Sequence, residues 1–483
     1  MKNKIQGLFI CGMILLAGFA LIVTVSLKFD YSAPDGFKEL YGVPLVFALC
    51  TMVFLLRINK AYSYISVMGI IGIYFIKDVL VPLFLMLGKY QYIATNSEIL
   101  NYMDMAVFLM KYETICTYIV LALFSGHTAA SVSKEGRFNR AGVTFNFTIT
   151  IMVLLIIGIL CVYPSLKDRF HTIFSLGKPE KYIPIRSWRV SGSEPLGIID
   201  TLMRAVFALL QIIFPVCVIK VIYCKYGKQR SNKGVFWLLL LSASSFFLMT
   251  GENANSVFTA AAVLCIVCIL YFKKLKRVIP FIAGAGFFGI AIALLAKGGL
   301  FDESNGKTLF FELSKTLNAY FGGPINVAAA CLLKESTKKI FIASDFFNVL
   351  PFISSLFSGI FKESSTAAFN IVFWGSAGRS DQLLPGIGQG ALYFGYFLAP
   401  IIPCFFVCAA IKLEKWARRA ESYYYKYYFY YTMLIMIILT GGNNLSHFYR
   451  YAIRMGVVYG IFKLMSFKVP KENDYRLNMR KIE

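Results

Sequence analysis

The chain is strung from apolar runs of membrane length. They fall at 5–27, 41–56, 64–87, 105–125, 143–163, 197–223, 234–250, 256–272, 279–296, 391–411, 427–440 and 451–466. Each holds roughly 15–25 residues, and a helix needs about 20 to cross the hydrocarbon core. Composition agrees: 58% of residues are hydrophobic and 15% are charged, against about 25% charged in soluble domains. A soluble fold could not hide this much apolar surface. The class that follows is an all-α polytopic membrane protein of about twelve transmembrane helices, forming one integral membrane domain over 1–483. The second and eleventh runs are short, so the count is open by one or two. The run after "MKNK" is too long for the apolar part of a signal peptide and reads as an uncleaved first span. No internal repeat is evident.

The connectors assign sides. With the N-terminus inside, the inner segments are "MKNK", "RINK", "SKEGRFNR", "CKYGKQRSNK", "KKLKR", "KLEKWARRAESYYYK" and the tail "KVPKENDYRLNMRKIE". All are net basic, as cytoplasmic connectors are. Both termini are therefore expected in the cytoplasm. The net charge of +24 would suggest nucleic acid in a soluble chain. Here it is spent on the cytoplasmic rim, and no nucleic-acid partner is implied.

Two outer segments stand out. The loop 164–196 carries Lys167, Arg169, Lys178, Lys181, Arg186 and Arg189 against Asp168, Glu180 and Glu194. Basic excess on the wrong side points to anion binding, with contact to lipid headgroups as the plain alternative. The stretch 297–390 is the one long hydrophilic-to-mixed insertion. Its apolar pieces are interrupted by Gly, Pro and Asn, as in "YFGGPINVA" and "NVLPFISSLFSG". Short or re-entrant helices are expected there, forming a lid on the outer membrane face.

Both outer segments end alike. Arg186 is followed by ten residues and Gly197, and Arg379 by ten residues and Gly390. This resembles the paired Arg-x10-Gly loop motifs of Wzy-type O-antigen polymerases, and the overall plan is similar to theirs. The resemblance covers the chain as architecture and only the two loops as motif. It implies a GT-C-like fold in the bacterial inner membrane. It also implies an enzyme, a metal-independent glycosyltransferase that polymerises undecaprenyl-diphosphate-linked repeat units for O-antigen or capsule. A flippase and a chain-length regulator would be its partners, beside membrane lipid. No cofactor is implied, because the diphosphate donor is already activated.

The physical logic stands beside the resemblance. A polyprenyl diphosphate concentrates negative charge at the membrane surface. Arginine binds phosphate oxygens bidentately and keeps its proton. Arg186, Arg189 and Arg379 are the candidate anchors, stabilising the charge that grows on the leaving group. The glycines would let the backbone bend close to substrate before each helix begins. Trp188 either stacks on a sugar or anchors at the interface. An acceptor hydroxyl would need a general base, for which Glu252, Asp381, Glu194 and His447 are available. The candidate catalytic residues are thus Arg186, Arg189, Arg379, Glu252 and Asp381. The candidate substrate-binding residues are Trp188, Gly197, Gly390, Arg204, His447, Arg450 and Arg454.

Ionisable groups near spans are functional candidates by default. Some have structural readings: Arg204 can pair with Asp200 at i,i+4, and Lys77 and Asp78 lie inside the third run. Cys265 and Cys268 form a C-x-x-C, but within an apolar run where redox chemistry is not expected. The three histidines are scattered, and no metal-ligand cluster or nucleotide motif appears. Two other classes stay open. A flippase would carry its charges deep in the helices rather than in loops. An O-antigen ligase would resemble its family in a histidine on the large outer loop, and 297–390 has none.

Overall fold

The computed structural model describes residues 2–57, 65–92, 94–125, 150–151, 153–155, 157–158, 161, 170–172, 198–226, 232–250, 253–275, 309–337, 341–348, 363–375, 382–442 and 444–466. Helices dominate them. In order they are α1 (Lys2–Lys28), α2 (Gly42–Arg57), α3 (Ile65–Phe75), α4 (Val81–Leu87), α5 (Met103–Ser125), α6 (Ile198–Tyr226), α7 (Asn232–Phe247) and α8 (Asn253–Leu275). There follow α9 (Leu309–Phe321), α10 (Pro324–Ser336), α11 (Ile342–Phe347), α12 (Ser365–Trp374), α13 (Gly386–Phe394), α14 (Ile401–Arg419), α15 (Tyr423–Gly442) and α16 (Leu445–Ser466). Among the described residues the β structure is one antiparallel pair, β1 (Phe170–Thr172) with β2 (Leu248–Thr250). It sets Phe170 of the basic loop opposite Thr250.

Five segments among the described residues are long and apolar enough to cross a membrane: Phe9–Lys28, Asp35–Leu56, Ile65–Leu87, Ser97–Ser125 and Ala208–Tyr226. Their outer faces carry exposed Ile14, Leu15, Ile22, Leu49, Val53, Ile115, Ile119 and Leu123. Their inner faces bury Thr51, Lys77, Asp78, Glu113, Thr114 and Thr117. Apolar outside and polar inside is the arrangement lipid selects, because hydrocarbon cannot solvate a polar group. The chain is a membrane-embedded, multi-pass helical protein.

The runs 143–163 and 279–296 lie wholly or mostly outside the described residues. The run 391–411 is not one helix. Helix α13 stops at Gly395, which has φ +80°, and α14 restarts at Ile401 after Pro400. A positive φ favours glycine and ends the helix there.

The insertion is more deeply embedded than a lid. Helix α10 is buried from Pro324 to Leu333 and packs against α5, α12 and α13. Helix α9 lies along α4. It starts with the Phe310 carbonyl beside Gly88 and ends with the Phe321 ring beside Gly441. Gly441 packs on Ile73, and Gly323 on Val81. The tip of the α9–α10 hairpin therefore sits against the middle of the helix Ile65–Leu87. Gly322 turns the tip with φ +57°, and a Cβ on Gly442 would lie 2.7 Å from the Gly322 nitrogen. Such backbone-to-backbone contact needs glycine on both sides and is how helices associate tightly in lipid.

Candidate functional site

The hairpin and the three helices after it gather a set of buried amides around the buried carboxylate of Asp345. Asp345, on α11, is fully buried. Its Oδ1 accepts the Ser365 N–H at 2.8 Å, at the start of α12. Its Oδ2 accepts the Gln389 side-chain amide at 3.0 Å, together with the hydroxyls of Ser365 and Tyr393. Gln389, also fully buried, uses its Oε1 to accept the Leu445 N–H at 2.6 Å. That N–H opens α16 and has no partner within its own helix. Burial holds the Asp345 carboxyl above the usual carboxylate range, while the four donors oppose that shift.

A second layer fixes the chain just after Arg379 and Asp381. Asn370 Oδ1 accepts the Gln382 N–H at 3.0 Å, and its amide donates to the Gln382 carbonyl at 3.1 Å. Asn326, on α10, donates to the Leu383 carbonyl at 3.0 Å. Asn444 donates to the Leu384 carbonyl at 3.4 Å. Three asparagines from three elements thus clamp three consecutive residues. An amide that both donates and accepts can replace the pairing an irregular backbone lacks inside a membrane protein.

Asn444 also caps α16. Its Oδ1 accepts the His447 N–H at 3.2 Å and lies 3.1 Å from His447 Nδ1. An amide oxygen only accepts, so this contact is a hydrogen bond when Nδ1 carries the proton. His447 therefore belongs to the same cluster, half-buried. Arg454, further along α16, lies 5.7 Å from the Tyr451 ring centroid, and Arg450 is exposed one turn earlier.

The other sequence candidates fall differently. Gly390 lies within α13, not ahead of a helix, and a Cβ there would collide with the Ala399 carbonyl. It packs α13 closely on the turn before α14, a placement different from the one expected ahead of a helix. Arg204 is placed on α6 by its backbone alone. Arg186, Arg189, Arg379, Glu252, Asp381, Trp188 and Gly197 lie outside the described residues.

Sequence reading missed Asp345, Ser365, Gln389, Tyr393 and the three asparagines. The available signal was a polar amide inside an otherwise apolar helix, as in "AAFNIVFW" and "GIGQGALYF". Such a residue must find a partner when buried.

A separate polar cluster lies inside the apolar spans. Lys77 Nζ is 2.6 Å from Glu113 Oε2, and both side chains are 1% exposed. Tyr74 donates to Glu113 Oε1 at 3.0 Å and meets Thr117 Oγ1 at 2.8 Å. Lys77 and Asp78 occupy a π-turn, Ile76–Leu80, in which the Val81 N–H reaches the Ile76 carbonyl. Pro82 cannot donate to the Asp78 carbonyl and crowds it, so the helix widens by one residue. Among the described residues no three His, Cys, Asp or Glu side chains converge as a metal site requires. Comparison of the chain with protein families, with curated proteins and with solved structures finds no match.

Proposed function

We propose that the chain is a glycosyltransferase of the bacterial inner membrane, with about twelve spans and both termini cytoplasmic. In this reading it joins polyprenyl-diphosphate-linked repeat units into surface polysaccharide, as its resemblance to Wzy-type polymerases implies. The observation that carries the reading is the triple asparagine clamp on Gln382–Leu384. It holds the chain directly after Arg379 and Asp381 against the His447 turn. Two segments nominated by their charge, the end of the large insertion and the last hairpin, thereby share one rigid frame. Rigid support is what a transition-state anion site requires. The pairing of Phe170 with Thr250 adds support, since it sets the start of the basic segment beside the residue two before Glu252 in sequence.

A transporter of lipid-linked oligosaccharide is the second reading. It is favoured by the Lys77–Glu113 pair and Asp78, which lie deep in the helices. Analysis of surface glycan in a strain lacking the gene separates the two. A single capped repeat unit supports the polymerase, absence of surface glycan supports the transporter, and untransferred lipid-linked polymer supports a ligase.

A further inference from the structure

The cluster around the π-turn holds one ammonium and two carboxyl groups. Lys77 is committed to Glu113 at 2.6 Å. Glu113 is satisfied on both oxygens, by Lys77 and by Tyr74. Asp78 is left over. It is fully buried, its Oδ1 has no hydrogen-bond partner, and its Oδ2 meets one group, Thr114 Oγ1, at 2.6 Å. Titratable groups act on it from several of the helices packed there. They are Cys50 on α2, Tyr74 and Lys77 on the α3 side, Glu113 and Tyr118 on α5, and Cys404 near Tyr74 and Glu113. Lys77 is the only cation in this set; α9, which also packs on the π-turn, carries Glu312 and Lys315, paired with each other at 3.2 Å.

Proton counting at Thr114 leaves two arrangements, since its one proton can go to Asp78 or to Met110. The Thr114 Oγ1 is also 2.9 Å from the Met110 carbonyl, one helical turn back. A carbonyl accepts and cannot donate, and one hydroxyl has one proton. If the Thr114 proton goes to Met110, the hydrogen in the 2.6 Å contact belongs to Asp78. That arrangement leaves the cluster electrically neutral. An ionised Asp78 would instead bury an unneutralised charge with one bare oxygen, which proteins avoid.

We propose that Asp78 carries a proton in the resting protein, so that the π-turn cluster is a proton-binding site inside the bundle. The inference is independent of whether the chain is a transferase or a transporter. The π-turn gives the site a mechanical consequence, because loss of the proton converts Asp78 from donor to acceptor where the helix is already widened.

The test is infrared spectroscopy of the full-length protein in lipid nanodiscs at neutral pH, in choline chloride. The expected result is an un-ionised carboxyl C=O band that moves on carboxyl-13C aspartate labelling and is missing from Asp78→Asn. Because labelling is read on the native chain, it does not depend on the variant folding. Thr114→Val, which removes the hydrogen-bond acceptor, should raise the frequency of the same band. The proposal is overturned if labelled native protein shows no such band, if the band survives in Asp78→Asn, or if Thr114→Val leaves it unmoved. Loss of the band when sodium replaces choline would also overturn it, in favour of a metal-cation site.

Discussion

The Leu445 N–H donates to the side-chain oxygen of Gln389 at 2.6 Å, across 56 residues of sequence. The same amide group donates to Asp345 at 3.0 Å. One glutamine therefore joins the start of the last helix to the buried carboxylate of the insertion.

Replacing that glutamine should cost more than a surface amide does. Gln389→Leu strands the Leu445 N–H and removes a donor from Asp345. A stranded donor costs about 1–3 kcal/mol, and a loss of that size is expected, since Asp345 keeps its other three donors. Gln389→Glu should be no better, because it places a second carboxylate against Asp345. Thermal unfolding of the solubilised protein measures both, and native melting in Gln389→Leu would show that the link contributes nothing.

Gly390 distinguishes packing from catalysis. A Cβ there meets the Ala399 carbonyl, and overpacking typically costs about 1–3 kcal/mol. Gly390→Ala should lower expression and melting temperature together with activity. A variant that melts normally yet makes no product would restore the glycine to the chemistry.

The buried ion pair should behave as a unit. Lys77→Met alone leaves Glu113 charged and unpaired, a loss of about 3–5 kcal/mol. The double variant Lys77→Met with Glu113→Leu should recover much of that loss. Additive losses in the double-mutant cycle would mean that the two groups are not coupled.

Stability of the insertion should depend on pH through Asp345. Burial raises its folded-state value above the ordinary carboxylate range. The folded form therefore holds the proton more tightly than the unfolded form. The resulting stabilisation is complete below the unfolded value of about pH 4 and is lost as pH rises through the folded value. Unfolding midpoints across that window should fall with pH in the native chain and flatten in Asp345→Asn. A midpoint that rises with pH in this window, and does so through Asp345, would reverse the sign.

If Arg379 and Arg186 hold diphosphate, substitution should be felt in glycan chain length. Loss of a transition-state contact costs about 3–4 kcal/mol, or two to three orders of magnitude in rate. Arg→Lys should fail almost as badly as Arg→Ala, since lysine cannot supply the planar fork. Chain length at matched membrane levels is the readout. Full-length polymer from both alanine variants would leave the arginines as headgroup contacts.

Much of the architecture was legible in the sequence because lipid imposes a local rule. A spanning helix satisfies its own backbone, so length and hydropathy suffice to mark runs such as 5–27 and 105–125. The glycine and proline breaks in "YFGGPINVA" likewise announced short helices, because φ near +57° at Gly322 and a proline at the head of α10 are local facts. What tertiary structure alone decided is partnership. Lys77 is adjacent to Asp78, yet it pairs with Glu113, because packing against α5 decides which carboxylate it reaches. Sequence polarity suggested a lid over 297–390, whereas α10 is buried from Pro324 to Leu333. The difference lies in its asparagines and neighbours: Asn326 and Asn370 find carbonyls on Leu383 and Gln382, which makes polar chain tolerable inside the protein. Hydropathy counts what a segment would lose in lipid, and it cannot count the hydrogen bonds that a distant segment supplies.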